Sequence, residues 1–245
     1  MKNRKFARKA VARFMPGEEL SDALDAASSL GRRGLGTVFT ELGENVTSPD
    51  EAEAVARDYS EALDRIVARA LDGELSVKPT HLGLDVDDHR VHDSLVRLVR
   101  KAEELDTMVW VDMEDSSYVD RTLELVREVR AESDRIGVCL QAYLHRTPDD
   151  LESLMDPPTR VRLVKGAYRE PASVAIQKKK AVDEQYHELA VGMIRDRDYI
   201  AAAPPAFGTH DDRLIERIRE SARQHGLANG QVEFHMLYGI RVELQ

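Results

Sequence analysis

Residues 160–170 read RVRLVKGAYRE, an apolar run that contains cations. Its apolar residues alternate with Arg162, and Lys165 and Gly166 follow where the run ends. The alternation predicts a strand. A guanidinium buried without a partner is costly, so Arg162 needs either a carboxylate, such as Asp112, or an electron-rich ligand. Lys165 can serve a ligand or simply reach solvent, and Gly166 would let a large planar ligand or its phosphates approach the backbone.

The same pattern, a short apolar run that ends in polar residues, occurs seven times along the chain. The runs are LGTVFTELGE, LSVKPTHLG, TMVWVDMED, IGVCLQAYL, VRLVKGAY, PAFGTH and QVEFHMLYG. Charged amphipathic stretches separate them. One opens with Ser48 as N-cap, Pro49 at the first helical position and Glu51 completing a capping box, and a short helix is predicted to start at Thr147. Strands that alternate with crossover helices predict a parallel sheet covered on both faces.

Two α/β architectures fit this alternation, the doubly wound sheet and the (β/α)8 TIM barrel. A dinucleotide-binding doubly wound sheet would carry G-x-G-x-x-G after its first strand, and the sequence has no such motif. In a barrel, the carboxyl ends of the strands converge on the rim that carries the active site. Polar residues gather at those ends: Glu44, Lys78, Asp112, Glu114, Gln141, Tyr143, Lys165, His210 and Tyr238. The sequence therefore predicts the barrel.

The chain is expected to have two parts, an N-terminal helical segment at residues 1–34 and a (β/α) barrel at residues 35–245. Phe6, Ala10 and Phe14 begin an apolar stripe with helical spacing in the first part. The chain ends soon after the seventh run, so only seven strands are evident. We expect a barrel that is incomplete at its C-terminal end, with unpaired edges on the first and seventh strands.

Composition narrows the class of protein. The chain has 45 acidic and 35 basic residues and a formal charge of -10, which argues against nucleic acid as a partner. Its one cysteine, Cys139, lies in an apolar run and is predicted to be buried in the core, so neither a disulfide framework nor a thiol-rich metal site is expected.

The sequence has no apolar run long enough to span a membrane and no secretion signal, so we expect a cytoplasmic protein with at most peripheral membrane contact. The helix predicted from EQYHELAVGMIRDRDYI is expected to turn its apolar side to the barrel.

A metal site is not expected. Asp112 and Glu114 point the same way if the strand continues through them, but no histidine neighbours them. His89 and His92 are three residues apart at a helix start and are interpreted as surface residues.

Lys78 is a second candidate cation. It lies two residues before Thr80 and can hold a small carboxylate, or it can be a lysine whose stem lies along apolar surface while its amine reaches water. Pro79 is predicted to lie within the same strand, where its missing N–H would weaken the sheet unless a bulge absorbs it.

Seven blocks of sequence resemble the proline dehydrogenase family of flavoenzymes, in the order that the family has them. They are LGENVTSPDEAEAVARDY, SVKPTHLGL, VDMEDSS, LQAYLHRTPDDL, RLVKGAYRE, FGTHD and FHMLYGIR. RLVKGAY after LQAY is the most specific of them. The resemblance runs from about Phe14 to Gly239.

The resemblance implies noncovalent FAD on a barrel. It implies oxidation of L-proline to Δ1-pyrroline-5-carboxylate, by hydride transfer from proline C5 to flavin N5, with the electrons passed to a membrane quinone. It assigns FAD contacts to Gln141, Arg162, Lys165, Gly166, Thr209 and His210. Arg162 would lie near N5 and Gln141 would hydrogen-bond the isoalloxazine ring. Positive charge there would favour the reduced, anionic flavin.

The resemblance also implies the substrate site. Lys78 would pair with the proline carboxylate, and Asp112 would orient the site, which makes Lys78, Asp112 and Arg162 the expected catalytic residues. Tyr168 and Leu237 would pack on the proline ring.

The chain departs from the family pattern in two ways. Gly208, Asp211 and His235 replace the usual residues of two blocks, which changes the contacts expected near the adenine end of FAD. The family's eighth strand and last helix, with the arginine pair that binds the proline carboxylate, are not evident. We therefore expect this 245-residue form to hold flavin weakly and to oxidise proline poorly or not at all.

Two other functions compete with this interpretation. A Schiff-base aldolase barrel would use Lys78 or Lys165 as a desolvated nucleophile, and borohydride would trap it on a carbonyl substrate. A catalytically silent barrel fragment would act only as a binding module or would fold incompletely. Bound flavin favours the oxidoreductase over both.

Overall fold

The computed structural model describes residues 15–245. They form two compact units, one that runs up to Val109 and includes Met236–Gln245, and another from Trp110 to His235. The helices are α1 (Leu20–Gly31), α2 (Pro49–Ala68), α3 (Asp88–Glu104), α4 (Val119–Arg130), α5 (Thr147–Glu152), α6 (Lys179–Arg195), α7 (Arg197–Ala202) and α8 (Asp212–Gln224). The strands are β1 (Thr37–Phe39), β2 (Gly73–Val77), β3 (Val109–Val111), β4 (Ile136–Gln141), β5 (Arg160–Val164), β6 (Ala206–Gly208) and β7 (Glu233–His235). Each of the seven predicted runs overlaps one strand, and β2 and β5 begin before their runs.

The first unit is built on parallel strands. β1 pairs with β2 in parallel, with Phe39 opposite Leu75. Leu75 also donates its backbone N–H to the carbonyl of Met108 at 3.0 Å, which places the start of β3 beside β2. The side chains of Leu75 and Val77 have no exposed surface, so β2 is the buried strand of this unit.

Helix α2 begins where the sequence predicts, with the Ser48 cap and Pro49 confirmed. The Ser48 side chain accepts a hydrogen bond from the Glu51 N–H at 3.2 Å, and Pro49 is the first helical residue. Tyr59 and Leu63 lie on the buried face. The cap satisfies one of the N–H groups that a helix start leaves without a partner.

The second unit contains four parallel strands in chain order, β4, β5, β6 and β7. Cys139 of β4 lies opposite Arg162 of β5, and Phe207 of β6 lies opposite Phe234 of β7. Every residue of β4 is buried. This pairing brings the polar residues at the carboxyl ends of neighbouring strands to one edge of the unit.

Two sequence predictions about element boundaries are wrong. Pro79 does not lie in a strand: β2 ends at Val77, and the Pro79 carbonyl accepts from the Leu84 N–H at 3.0 Å in the following turn. Its missing N–H therefore weakens no sheet hydrogen bond. The helix predicted to run through residues 184–200 is divided, because Asp196 takes an extended conformation and its side chain caps α7.

The structure describes only part of the apolar stripe predicted for the N-terminal helical segment. Leu24 and Ala27 of α1 are buried, as the helical spacing predicts. Phe6, Ala10 and Phe14 lie outside the described residues. Within residues 15–245, no helix has both the length and the apolar character needed to cross a membrane.

Candidate active site

Arg162 lies in a buried polar centre. Its Nη2 donates to Asp112 Oδ1 at 2.6 Å, and its Nε donates to Cys139 Sγ at 2.9 Å. The guanidinium carbon lies 5.2 Å from the centre of the Trp110 ring, within cation–π range. We call Trp110, Asp112, Cys139 and Arg162 the Arg162 centre. Of the two partners predicted for Arg162, the carboxylate of Asp112 is confirmed.

Burial and polar contacts together set the charge states of Arg162 and Cys139. Arg162 is 9% exposed. Burial lowers the pKa of its guanidinium, but contacts with Cys139 and Asp112 outweigh burial and raise that pKa, so Arg162 stays charged. Burial raises the pKa of the Cys139 thiol to about 12, which confirms a buried cysteine and leaves the thiol neutral at physiological pH.

A second guanidinium lies against the same indole. The Arg160 guanidinium carbon is 5.1 Å from the Trp110 ring centre, and Arg160 pairs with Glu233 at 2.9 Å. The His235 ring meets Trp110 edge to face at 5.5 Å and hydrogen-bonds Glu233 at 3.3 Å. Burial raises the pKa of Glu233, but His235 and Arg160 outweigh burial and lower it, so Glu233 stays ionised. His235, one of the residues that departs from the family pattern, is therefore part of this charged network.

Lys165 follows β5 and is held by two carboxylates. Its Nζ donates to Asp183 Oδ1 at 2.5 Å and to Asp211 Oδ2 at 2.9 Å. Lys179 contacts the same carboxylates, Asp183 at 2.7 Å and Asp211 at 3.5 Å. We call these four residues the Lys165 cluster. The alternative in which Lys165 simply reaches solvent is wrong, because its amine is engaged by both carboxylates.

Asp211 also starts α8. Its Oδ1 accepts from the Leu214 N–H at 3.4 Å, and its own N–H donates to Thr209 Oγ1 at 3.2 Å. Burial raises the pKa of Asp211, but the hydrogen bond from Lys165 and the charges of Lys165 and Lys179 outweigh burial and lower the pKa to about 2. Thr209 is buried and His210 is half-buried, so the turn between β6 and α8 is fixed beside the Lys165 cluster.

Position 166 requires a glycine because the Tyr143 ring lies against its backbone. Its φ is +112°, and a Cβ at this position would lie 2.1 Å from the Tyr143 ring. The Tyr143 hydroxyl donates to the Tyr168 carbonyl at 3.1 Å, and the Tyr143 N–H donates to the Lys165 carbonyl at 3.0 Å. On the side where a Cβ would lie, the close approach to Gly166 is made by this ring, and the approach of a planar ligand to the Gly166 backbone stays a prediction.

Gln141 ends β4 with a buried amide. Its side-chain Nε2 donates to the backbone carbonyl of Glu114 at 2.7 Å. Its backbone carbonyl accepts from Thr147 Oγ1 at 2.6 Å. Gln141 and Glu114 are both buried. The side-chain amide is therefore oriented by the Glu114 carbonyl, while the bond from Thr147 fixes the backbone at the end of β4.

Lys78 lies in the first unit, directly after β2. Its carbonyl accepts from the N–H groups of His81 and Leu82 at 3.1 Å each, which closes the turn. His81 is buried and lies edge to face on Tyr59 at 6.4 Å. Burial and the charge of Lys78 lower the pKa of His81 against the opposing effect of Glu44, so the ring is neutral at pH 7.

The comparisons with known proteins agree with the blocks of sequence. The family model described as proline dehydrogenase matches residues 23–245. Proline dehydrogenase 1 of Bacillus subtilis subsp. natto is 35% identical over 238 residues, which cover 97% of this chain and 77% of that protein. The proline dehydrogenase of Deinococcus radiodurans is 34% identical and covers 95% of this chain and 75% of that protein. This chain belongs to the proline dehydrogenase family.

A solved structure supports the fold of this proline dehydrogenase family member. Proline utilization A from Bdellovibrio bacteriovorus superposes with a TM-score of 0.85 at 25% identity over 97% of the chain. The chain spans only 29% of that longer protein. This likeness confirms the predicted α/β barrel class.

The site residues that the family resemblance singles out fall into separate groups. Asp112 and Arg162 are in contact, and Tyr168 and Gly166 are both held by Tyr143. Leu237 belongs to the first unit and is 66% exposed. Within the described part of the chain, no group of three or more His, Cys, Asp or Glu side chains could hold a metal ion.

Sequence reasoning missed five residues of these networks, Trp110, Arg160, Lys179, Asp183 and Glu233. Arg160 lies two positions before Arg162, a spacing that puts both side chains on one face of a strand, so this signal was available. Trp110 and Asp183 had no local signal, since their partners are distant in sequence.

Proposed function

We propose that this chain is an FAD-dependent proline dehydrogenase that oxidises L-proline to Δ1-pyrroline-5-carboxylate. Family membership supports an oxidoreductase that acts on proline. The observation that best supports a bound flavin is the Arg162 centre, where the Asp112 carboxylate holds a buried, charged guanidinium of β5. A guanidinium held in one geometry in a dry environment is a preorganised hydrogen-bond donor for negative charge that develops on a bound ring system in contact with it.

The donors at the ends of β4, β5 and β6 fit FAD. Arg162, Lys165, Gln141 and Thr209 are hydrogen-bond donors, and FAD offers ring carbonyls, ring nitrogens and a pyrophosphate as acceptors. When bound, FAD would supply the two-electron acceptor for the hydride of proline. Gly166 and His210 complete the set of cofactor contacts that we propose.

The chain's own residues supply charge and orientation. Asp112 holds the Arg162 guanidinium in one geometry and keeps its charge. Cys139 accepts from Arg162 as a neutral thiol, so it acts by position and not as a nucleophile. For Lys78 we propose binding of the proline carboxylate, and for Tyr168 and Leu237 packing on the proline ring.

From the family resemblance we propose a quinone as the electron acceptor. From the composition of the chain we propose no nucleic-acid partner and a cytoplasmic location with at most peripheral membrane contact.

Absorbance spectroscopy tests the function. The purified chain is titrated with FAD, and L-proline is then added without oxygen. We expect perturbation of the flavin band on binding and bleaching of that band with L-proline, but not with D-proline. Lack of flavin binding at the highest FAD concentration, or bound flavin that excess L-proline does not bleach even on prolonged incubation, contradicts the proposal.

A matched pair of variants tests whether flavin reduction by proline depends on Arg162. Arg162→Lys keeps the charge but loses the fork of donors that Asp112 and Cys139 use, so we expect slower bleaching. Arg217→Lys makes the same change at an exposed pair with Glu184 and should leave the rate unchanged. Borohydride trapping of Lys78 or Lys165 on a carbonyl substrate would instead support the aldolase.

A further inference from the structure

We propose that Asp183 and Asp211 are positioning residues that hold the Lys165 ammonium and cancel its charge, and so limit how strongly this end of β5 favours reduced flavin. The inference rests on the proposed function, because it concerns the site at which FAD would bind. It adds two carboxylates that the sequence patterns did not assign to the cofactor.

Three separate elements meet at Lys165. Lys165 follows β5, Asp183 lies in α6 near its start, and Asp211 caps α8. The side chains of the three residues are 26%, 20% and 22% exposed, in that order, so water screens their contacts only in part. An ammonium held from two sides has little rotational freedom left, whereas a single surface partner would leave it mobile.

The charges of the Lys165 cluster sum to zero. Lys165 and Lys179 contribute two positive charges, and Asp183 and Asp211 contribute two negative charges. The same ion pairs lower the pKa of Asp183 and Asp211 against the opposing effect of burial, so both stay ionised well below neutral pH. A cation in contact with its counter-charges acts at a distance as a set of dipoles, whose field falls off faster than that of a single charge.

This cancellation has a consequence for a bound flavin. Reduced anionic flavin carries more negative charge than oxidised flavin, so a nearby uncompensated cation favours the reduced form. Each carboxylate that is removed should leave Lys165 with more effective positive charge. The carboxylates therefore lower the reduction potential that the site would otherwise give.

Asp211→Asn is the sharpest variant. Asparagine is as good an N-cap as aspartate, so α8 keeps its start while the negative charge is lost. We expect reduced FAD to gain about 10-fold in affinity relative to oxidised FAD, which is a rise of about 30 mV in the two-electron midpoint potential. Equilibration with a reference dye measures the potential, and Asp183→Asn should shift it in the same direction.

Glu184→Gln is the matched control. It makes the same change of charge one residue after Asp183, but Glu184 pairs with Arg217 at 2.7 Å. We expect a change of less than twofold in the ratio of the two affinities. An equal shift in Glu184→Gln and Asp211→Asn would show a general charge effect and would overturn the proposal, as would no shift in either Asp variant.

A measurement without flavin separates this inference from the proposed function. The Lys165 amine must leave both carboxylates before it can react with acetic anhydride, so its acetylation, followed by mass spectrometry, should be slow. We expect about a 10-fold faster reaction in Asp183→Asn/Asp211→Asn, with exposed Lys180 as an unchanged internal reference. Fast acetylation in this variant without FAD binding in the unchanged chain would refute the function alone. Equal rates in both chains would refute the positioning role.

Discussion

The Arg162 centre and the Lys165 cluster both join a cation of the β5 region to carboxylates from other elements. Arg162 is 9% exposed and is bound by one carboxylate, one thiol and one indole face. Lys165 is 26% exposed on its side chain and is bound by two carboxylates, which also hold a second lysine. The Arg162 centre has one carboxylate and one cation, whereas the Lys165 cluster has two carboxylates and two cations.

Burial makes these two arrangements differ in energy and in their response to solvent. Loss of the partner of a buried charge leaves that charge without compensation, at a cost of about 3 to 5 kcal/mol. Loss of one member of a partly exposed network costs far less, because water and the remaining members compensate. We therefore expect the Arg162 centre to determine stability and the Lys165 cluster to adjust the local charge.

The largest expected effect is that of Asp112→Ala. It leaves the Arg162 guanidinium without its carboxylate, and we expect the free energy of unfolding to fall by about 3 kcal/mol. Urea unfolding measures the change, and Trp110, the chain's one tryptophan, reports on this centre by fluorescence. Asp120→Ala, which breaks the exposed pair with Arg146, should cost less than about 1 kcal/mol. Equal losses in the two variants would contradict the role of burial.

Gly166→Ala tests how rigidly the chain is held directly after Lys165. The new Cβ would meet the Tyr143 ring at 2.1 Å, and the φ of +112° is strained for alanine. We expect a loss of about 2 to 3 kcal/mol in urea unfolding. Gly192→Ala adds the same methyl group inside α6 with no atom within 4 Å, so it should stabilise the chain by about 1 kcal/mol. A neutral result at Gly166 would show that Tyr143 moves aside.

The acid response of the Lys165 cluster should be smaller. The pKa of Asp211 is about 2 in the folded chain against 3.8 for an ordinary aspartate, so the stability it contributes is complete above pH 3.8 and is lost as pH falls toward 2. Asp211→Asn should lower the free energy of unfolding by about 1 kcal/mol at pH 5, after allowance for solvent screening, and by less at pH 3. A difference between the two chains that grows on acidification would contradict the ion pair.

Lys179→Met should have the smallest effect. The Lys179 side chain is 75% exposed, and Lys165 already holds both of its carboxylates. At 0.15 M salt we expect no measurable change in the urea midpoint, because salt screens exposed charges. A clear loss would show that the outer lysine, and not Lys165, organises the cluster.

Sequence reasoning predicted the elements well and their ends less well. All seven strands overlap predicted runs, although β2 and β5 begin before theirs, and the expected helices begin after Ser48 and at Thr147. The ends failed at Pro79, which follows β2, and at Asp196, which divides a predicted helix. An apolar run continues in sequence whether or not the strand does, because the following turn can also be buried.

The sequence by itself determined the α/β alternation, the helix starts and the residue types at the strand ends. These depend on side chains within a few positions of one another, where periodicity and capping act. Only the tertiary structure showed which carboxylates the two cations contact: those of Lys165 lie 18 and 46 positions away, and Asp112 lies 50 positions from Arg162. An ion pair needs its two groups at contact distance, and the packing of strands and helices sets that distance.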